Sequence, residues 1–74
     1  MKDYHINIFY SQEDKGYIAD IPDLKNCSAF GNTPDEVLMN VLQAKGVWIK
    51  TAKKNNITIP SPKYSHAIYH TISV

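Results

Sequence analysis

A helix start is written into Gly31-Asn32-Thr33-Pro34-Asp35-Glu36-Val37-Leu38, and it constrains the fold more than any other stretch of the chain. Thr33 is a natural N-cap, because its hydroxyl can accept from a free backbone N–H of the first turn. Pro34 takes the first helical position, where a missing N–H costs nothing. Glu36 stands three residues after Thr33 and completes a capping box. Asp35 and Glu36 set negative charge at the positive end of the helix dipole. Downstream, Val37, Leu38, Val41, Leu42, Trp48, Ile49 and Ala52 form one apolar stripe at helical spacing. Asn55-Asn56 is a stop signal, and Pro60 and Pro62 force extended backbone beyond it. The spacing therefore predicts a helix from Pro34 to about Lys54. Lys45 projects close to the middle of the stripe. It either buries its stem and keeps its amine wet, or it meets another chain. Gly46 lies off the stripe and weakens the helix by about 1 kcal/mol relative to alanine.

The residues before the helix alternate. Tyr4, Ile6, Ile8 and Tyr10 share one face of an extended segment, with His5, Asn7 and Phe9 on the other. Ser11 to Gly16 is a polar turn, in which Gly16 is the natural residue for a positive φ. Tyr17 to Ile21 returns as a second strand, so the pair is expected to be an antiparallel hairpin. Pro22 to Asn26 makes a corner, and Cys27 to Phe30 is a short third strand. The tail from Tyr64 to Val74 alternates again, with Ile68, Ile72 and Val74 on one face. It is expected to be a fourth strand, or an arm that adds to a sheet edge. The fold class is α+β: a three-stranded antiparallel sheet, one long helix packed on it, and a C-terminal strand, in the order β-β-β-α-β. Residues 1–74 form one domain, with 62–74 the strand-forming or exchanged arm.

A chain of 74 residues buries a thin core, and small domains commonly gain stability from a disulfide, a metal or a partner. The single Cys27 cannot form an internal disulfide. The N-terminus has no signal-peptide pattern, and no apolar run is long enough to span a membrane, so a cytoplasmic location is expected. Self-association into a homo-oligomer is expected by elimination.

Charge is laid out unevenly. The net charge is only +1, yet all seven acidic residues lie between Asp3 and Glu36. From Val37 onward there are five lysines and no carboxylate, and the chain has no arginine. Arginine is the favoured residue for bidentate phosphate and guanine contacts, so direct nucleic-acid binding is not expected. Part of the split is ordinary helix-dipole matching.

The residues that could carry chemistry argue against it. His66 and His70 are four apart, which on a strand separates them by roughly 13 Å, too far to share a metal ion. Cys27 lies on a strand, not at a helix N-terminus where its thiol would be activated. Glu13 and Asp14 occupy a turn and Asp23 a corner, leaving only Asp20 inside a strand. Two-metal phosphoryl chemistry needs carboxylates that converge. No catalytic residue, cofactor or metal site is expected.

The order Tyr17, Ala19, Pro22, Asp23, Leu24, Cys27, Gly31, Thr33, Asp35, Glu36 resembles the HicB-like antitoxin family. Ala44, Trp48 and Ile49 fall where that family's helix carries an alanine, an aromatic and an aliphatic residue. Pro60-Ser61-Pro62 resembles its proline pair. Asn26 stands where the family usually has glycine, and Lys45 where its helix is usually apolar. The resemblance runs from about Tyr4 to Pro62, most of the chain. It implies a partial ribonuclease H fold without catalysis. It also implies an antitoxin of a type II pair that blocks a small, basic HicA-like ribonuclease. Many members carry a further operator-binding domain, and none is expected here. By this reading Glu13, Asp14, Asp20 and Asp23 are the candidate partner-binding residues, grouped around one hairpin and its exit corner. The alternative is a solitary homo-oligomeric HicB-like scaffold with no toxin partner.

Overall fold

The structure of the protein is a computed structural model that describes residues 3–63. Three strands, β1 (Asn7–Ser11), β2 (Gly16–Asp20) and β3 (Ser28–Gly31), precede one long helix, α1 (Pro34–Lys54). The sheet is antiparallel throughout, in the order β1-β2-β3. The expected α+β arrangement of three strands and a helix is present. The expected C-terminal strand, Tyr64 to Val74 with His66 and His70, lies outside the described residues.

The β1–β2 turn corrects one expectation. Its positive φ belongs to Lys15, at 52°, while Gly16 is already the first residue of β2. Gly16 is glycine for a different reason. A Cβ there would lie 2.3 Å from the Phe30 ring of β3, which sits over the Gly16 backbone. The corner between β2 and β3 is two successive turns. Leu24 N–H donates to the Ile21 carbonyl, and Cys27 N–H to the Leu24 carbonyl, both at 3.0 Å. Pro22 follows Ile21 in the first turn, where its fixed φ suits the bend. Asn26 is the third residue of the second turn and has φ 62°, the left-handed conformation that such a turn requires there. Asparagine tolerates that conformation better than most residues, which is how it can occupy a glycine-like position.

Helix α1 begins as the cap residues dictate. Thr33 is extended, at φ −135° and ψ 160°, and its hydroxyl accepts from Glu36 N–H at 3.0 Å. The Glu36 carboxylate reaches back to Asn32 N–H at 2.8 Å, one residue earlier than a standard capping box. At the other end Asn56 has φ 57°, Asn56 N–H meets the Lys53 carbonyl and Ile57 N–H meets the Ala52 carbonyl. That pair of bonds is a Schellman motif. Replacing Thr33 by alanine should cost about 1 kcal/mol, seen as a lower denaturation midpoint at equal protein concentration. Gly46 should respond in the opposite direction, because a Cβ there meets nothing within 4 Å. Gly46→Ala should raise the same midpoint, by about 1 kcal/mol in stability.

The core is Ala19, Ile21, Leu24, Cys27, Val37 and Val41, with Tyr4, Ile6, Tyr17, Ala29, Ala44 and Trp48 packed around it. Helix α1 lies chiefly over β3 and β2 and barely touches β1. The apolar stripe is consequently covered in part. Val37, Val41 and Ala52 are buried, whereas Leu38 and Leu42 stay about 40% exposed, at 39% and 42%. Trp48 ties the helix to the corner, its indole N–H donating to the Lys25 carbonyl at 2.9 Å. The segment after α1 folds back to the same end of the sheet. The Tyr4 hydroxyl donates to the Pro60 carbonyl, and Lys63 N–H donates to the Asp23 carboxylate at 3.0 Å.

Candidate interaction surfaces

The four candidate carboxylates fall into two pairs rather than one cluster. Glu13 and Asp14 sit in the β1–β2 turn, while Asp20 and Asp23 sit at the far end of β2 and in the corner beyond it. Four residue steps from Gly16 to Asp20 separate the two ends by about 13 Å at 3.3 Å per residue. Asp14 is also part of the turn: it accepts from the Ser11 hydroxyl at 2.9 Å, and its own N–H donates to that oxygen. Asp23 holds the returning segment through Lys63. Both therefore have local roles in the fold as well as their charge.

The strand register brings together a surface that alternation alone does not reveal. Phe9 pairs with Ile18, and Ile18 with Phe30, so these three side chains form a row across the sheet. Ala19 faces the core, so Ile18, its neighbour on β2, faces the opposite side, away from α1. Phe9 is 50% exposed and Phe30 44% exposed. A shallow concavity beside this row is lined by Asp14, Ile18, Ser28 and Phe30. Asp20, two residues after Ile18 and paired with Asn7 and Ser28, projects from the same face.

On the other side, β1 shows Ile8 and Tyr10 where α1 barely reaches it, and α1 itself leaves Leu38 and Leu42 part-exposed. Tyr10 and Tyr17 pack edge to face there, with centroids 5.2 Å apart. A larger open groove, about 1170 Å³, runs between the corner, β3, α1 and the segment after it. Its walls include Ala29, Ala44, Val47, Trp48, Ala52 and Ile57.

Within the chain Lys45 has an acidic partner. It is 21% exposed, and its ammonium meets the Asp3 carboxylate at 3.2 Å. Tyr4 N–H, donating to Asp3 at 2.7 Å, and then the Lys45 ammonium hold the Asp3 carboxyl below its ordinary value. A depressed carboxyl adds stability above its unfolded-state pKa, and that stability is lost as pH falls through the folded value. Asp3→Asn should therefore melt below wild type at neutral pH. The gap should close under acid conditions, as wild-type Asp3 takes up its proton. A gap that is equal at both pH values in thermal scans would remove this ion pair from the account.

Cys27 is a buried free thiol, and burial pushes its pKa up, with Lys45 pulling weakly the other way. That is the environment of a core residue, the opposite of an activated nucleophile. Among the described residues, no group of three or more His, Cys, Asp or Glu is placed to share a metal ion. No helix among them is long and apolar enough to cross a membrane.

Comparison with known proteins gives relatives but no function. No family model matches the chain, and no solved structure does. A UPF0150 protein of Synechocystis sp. is 35% identical over 54 residues, covering 73% of this chain and 74% of the relative. A UPF0150 protein of Thermoplasma acidophilum is 32% identical over 63 residues, 85% of this chain and 91% of the relative. Identity at that level, over nearly the whole length of the second relative, places this chain in the UPF0150 family.

Proposed function

We propose that this member of the UPF0150 family is a HicB-like antitoxin, a binding protein that blocks a small, basic HicA-like ribonuclease. The observation that carries the reading is the segregation of charge: every one of the seven carboxylates precedes Val37. The sheet half of the molecule holds five of them ahead of the helix start, at Asp3, Glu13, Asp14, Asp20 and Asp23. Carboxylates can stand where an RNA's phosphates would lie, steering a basic ribonuclease onto the inhibitor and occupying its RNA surface. The protein needs no catalytic group for this, only a complementary surface. The resemblance in the corner and the helix start, Pro22-Asp23-Leu24 and Gly31-Asn32-Thr33, supports the same reading. The test is co-purification. A short basic reading frame beside this gene should encode a protein that stays with the tagged chain through a salt wash. Neither a basic neighbour nor a retained protein would leave the proposal without support.

A second reading, a solitary homo-oligomeric scaffold, is favoured by one observation. Ile8 and Tyr10 on β1 and Leu38 and Leu42 on α1 leave apolar surface open, as a self-associating chain would. Sedimentation separates the two. A scaffold assembles alone and ignores the basic neighbour, whereas an antitoxin binds it whatever its own oligomeric state.

A further inference from the structure

We infer that the sheet face turned away from α1 is the docking surface for that basic partner, with Phe9, Ile18 and Phe30 as its apolar centre and Asp14 and Asp20 as its charged ends. The inference rests on the antitoxin reading and says which side of the molecule performs it.

Three observations point to this face. First, the register aligns Phe9, Ile18 and Phe30 in one row across all three strands. Two of the three are aromatic and about half exposed, and aromatic side chains grouped at a patch centre are the usual anchors of protein interfaces. Secondly, the surface is built, because Gly16 leaves the space in which the Phe30 ring lies. Any side chain at position 16 would displace that ring and break the row.

The third observation is charge, and it selects the occupant. The outward positions of the strands are Asn7, Phe9, Ser11, Gly16, Ile18, Asp20, Ser28 and Phe30, none of them basic. Asp14 lines the concavity on the turn side of the row, and Asp20 stands on the other side of it, two residues along β2 from Ile18. Lys15 lies in the turn and Lys25 in the corner, where it shares a small pocket with Asp20 and Ser28, and the helix carries Lys45, Lys50, Lys53 and Lys54. A second copy stacked face to face would bring its own Asp14 and Asp20 against these. Nucleic acid would bring phosphates. Both meet like charge. A protein that offers an apolar projection between lysines or arginines meets an apolar centre and opposite charge at each end. The surface also separates the four candidate carboxylates by role. Asp14 and Asp20 border the row, whereas Asp23 faces the groove on the other side, with Lys63.

The test uses the full chain and, as probe, a catalytically inactive variant of the small basic neighbour, titrated by calorimetry. Phe9→Thr and Phe30→Thr keep β-forming residues on the strands, and thermal scans check that both fold. Each should weaken binding at least tenfold, and Asp20→Lys should do the same. Asp23→Asn should change it less than threefold. Met39→Ser, at an exposed helix position well outside the row, should leave it unchanged. If folded Phe9→Thr and Phe30→Thr bind like wild type, the surface is elsewhere and this inference falls while the antitoxin reading stands. If wild type does not bind the probe at all, the antitoxin reading itself falls and takes the surface with it. A wild-type dimer that Phe9→Thr and Phe30→Thr convert to monomer would assign the face to a second copy and overturn the inference.

Discussion

Gly31→Ala should destabilise the protein by about 3 kcal/mol, the upper end of what overpacking usually costs. A Cβ at Gly31 would lie 2.5 Å from the Val37 amide nitrogen and 2.7 Å from its Cα. These are backbone atoms in the first turn of α1, so no side-chain rotation relieves the clash. Val37 is also where the helix begins to pay back its start: its N–H donates to the Thr33 carbonyl at 3.0 Å, and its side chain is fully buried. Moving it away from β3 loosens the first turn and the core together. A domain of 74 residues is expected to have a stability of about 4–11 kcal/mol, at roughly 0.05–0.15 kcal/mol per residue. The midpoint should fall by roughly 12–24 °C in a thermal scan, taking about 4–8 °C per kcal/mol for a domain of this size. Gly16→Ala should cost less, because the obstacle there is the Phe30 ring, which can swing outward. Equal midpoints for wild type and Gly31→Ala would mean that α1 does not sit against β3 as described.

The second large effect is on association. Converting Glu13, Asp14, Asp20 and Asp23 to their amides should slow capture of the proposed basic partner by about tenfold or more at low salt, since steering by complementary charge raises on-rates by 10–10³. Dissociation should change much less, because exposed charges act mainly on encounter. The geometry adds a sharper expectation. The turn pair and the corner pair are about 13 Å apart along β2, beyond a screening length of about 8–10 Å in physiological salt. Each pair should therefore supply its own part of the effect, and the two half-neutralised variants should combine additively in the logarithm of the on-rate. Wild type should lose on-rate steeply with added salt and the quadruple variant hardly at all. Stopped-flow mixing at two salt concentrations measures both. An unchanged on-rate with an unchanged salt response would reduce the charge split to helix-dipole matching. Thermal scans of the quadruple variant are needed alongside, because Asp14 holds Ser11 and Asp23 holds Lys63.

How far each feature could be read from the sequence follows from how local its causes are. The start of α1 depends on Thr33, Pro34 and Glu36 alone, and its end on Asn55 and Asn56, so both boundaries were legible. The hairpin was legible from alternation, but the reason for Gly16 was not, because Phe30 is fourteen positions away and reaches it only through strand pairing. The helical stripe correctly picked out Val37, Val41 and Ala52. It also included Leu38 and Leu42, whose burial depends on where α1 crosses the sheet. Lys45 was an ambiguity of the same kind, and within the chain it meets Asp3, forty-two residues away. The four carboxylates were close in sequence, yet an extended strand carries neighbours apart quickly, so they lie at two ends of β2. The row of Phe9, Ile18 and Phe30 needed the register of all three strands, and no single segment contains it.

The central claim is that this protein inhibits a basic ribonuclease by covering its RNA surface, and one titration tests it most directly. Cleavage of a messenger RNA by the purified basic neighbour is followed while the folded chain is added in steps. The account predicts that cleavage falls linearly to nothing at a fixed molar ratio, and that excess RNA slows the onset of inhibition because both compete for one surface. Undiminished cleavage in the presence of excess folded protein would contradict it.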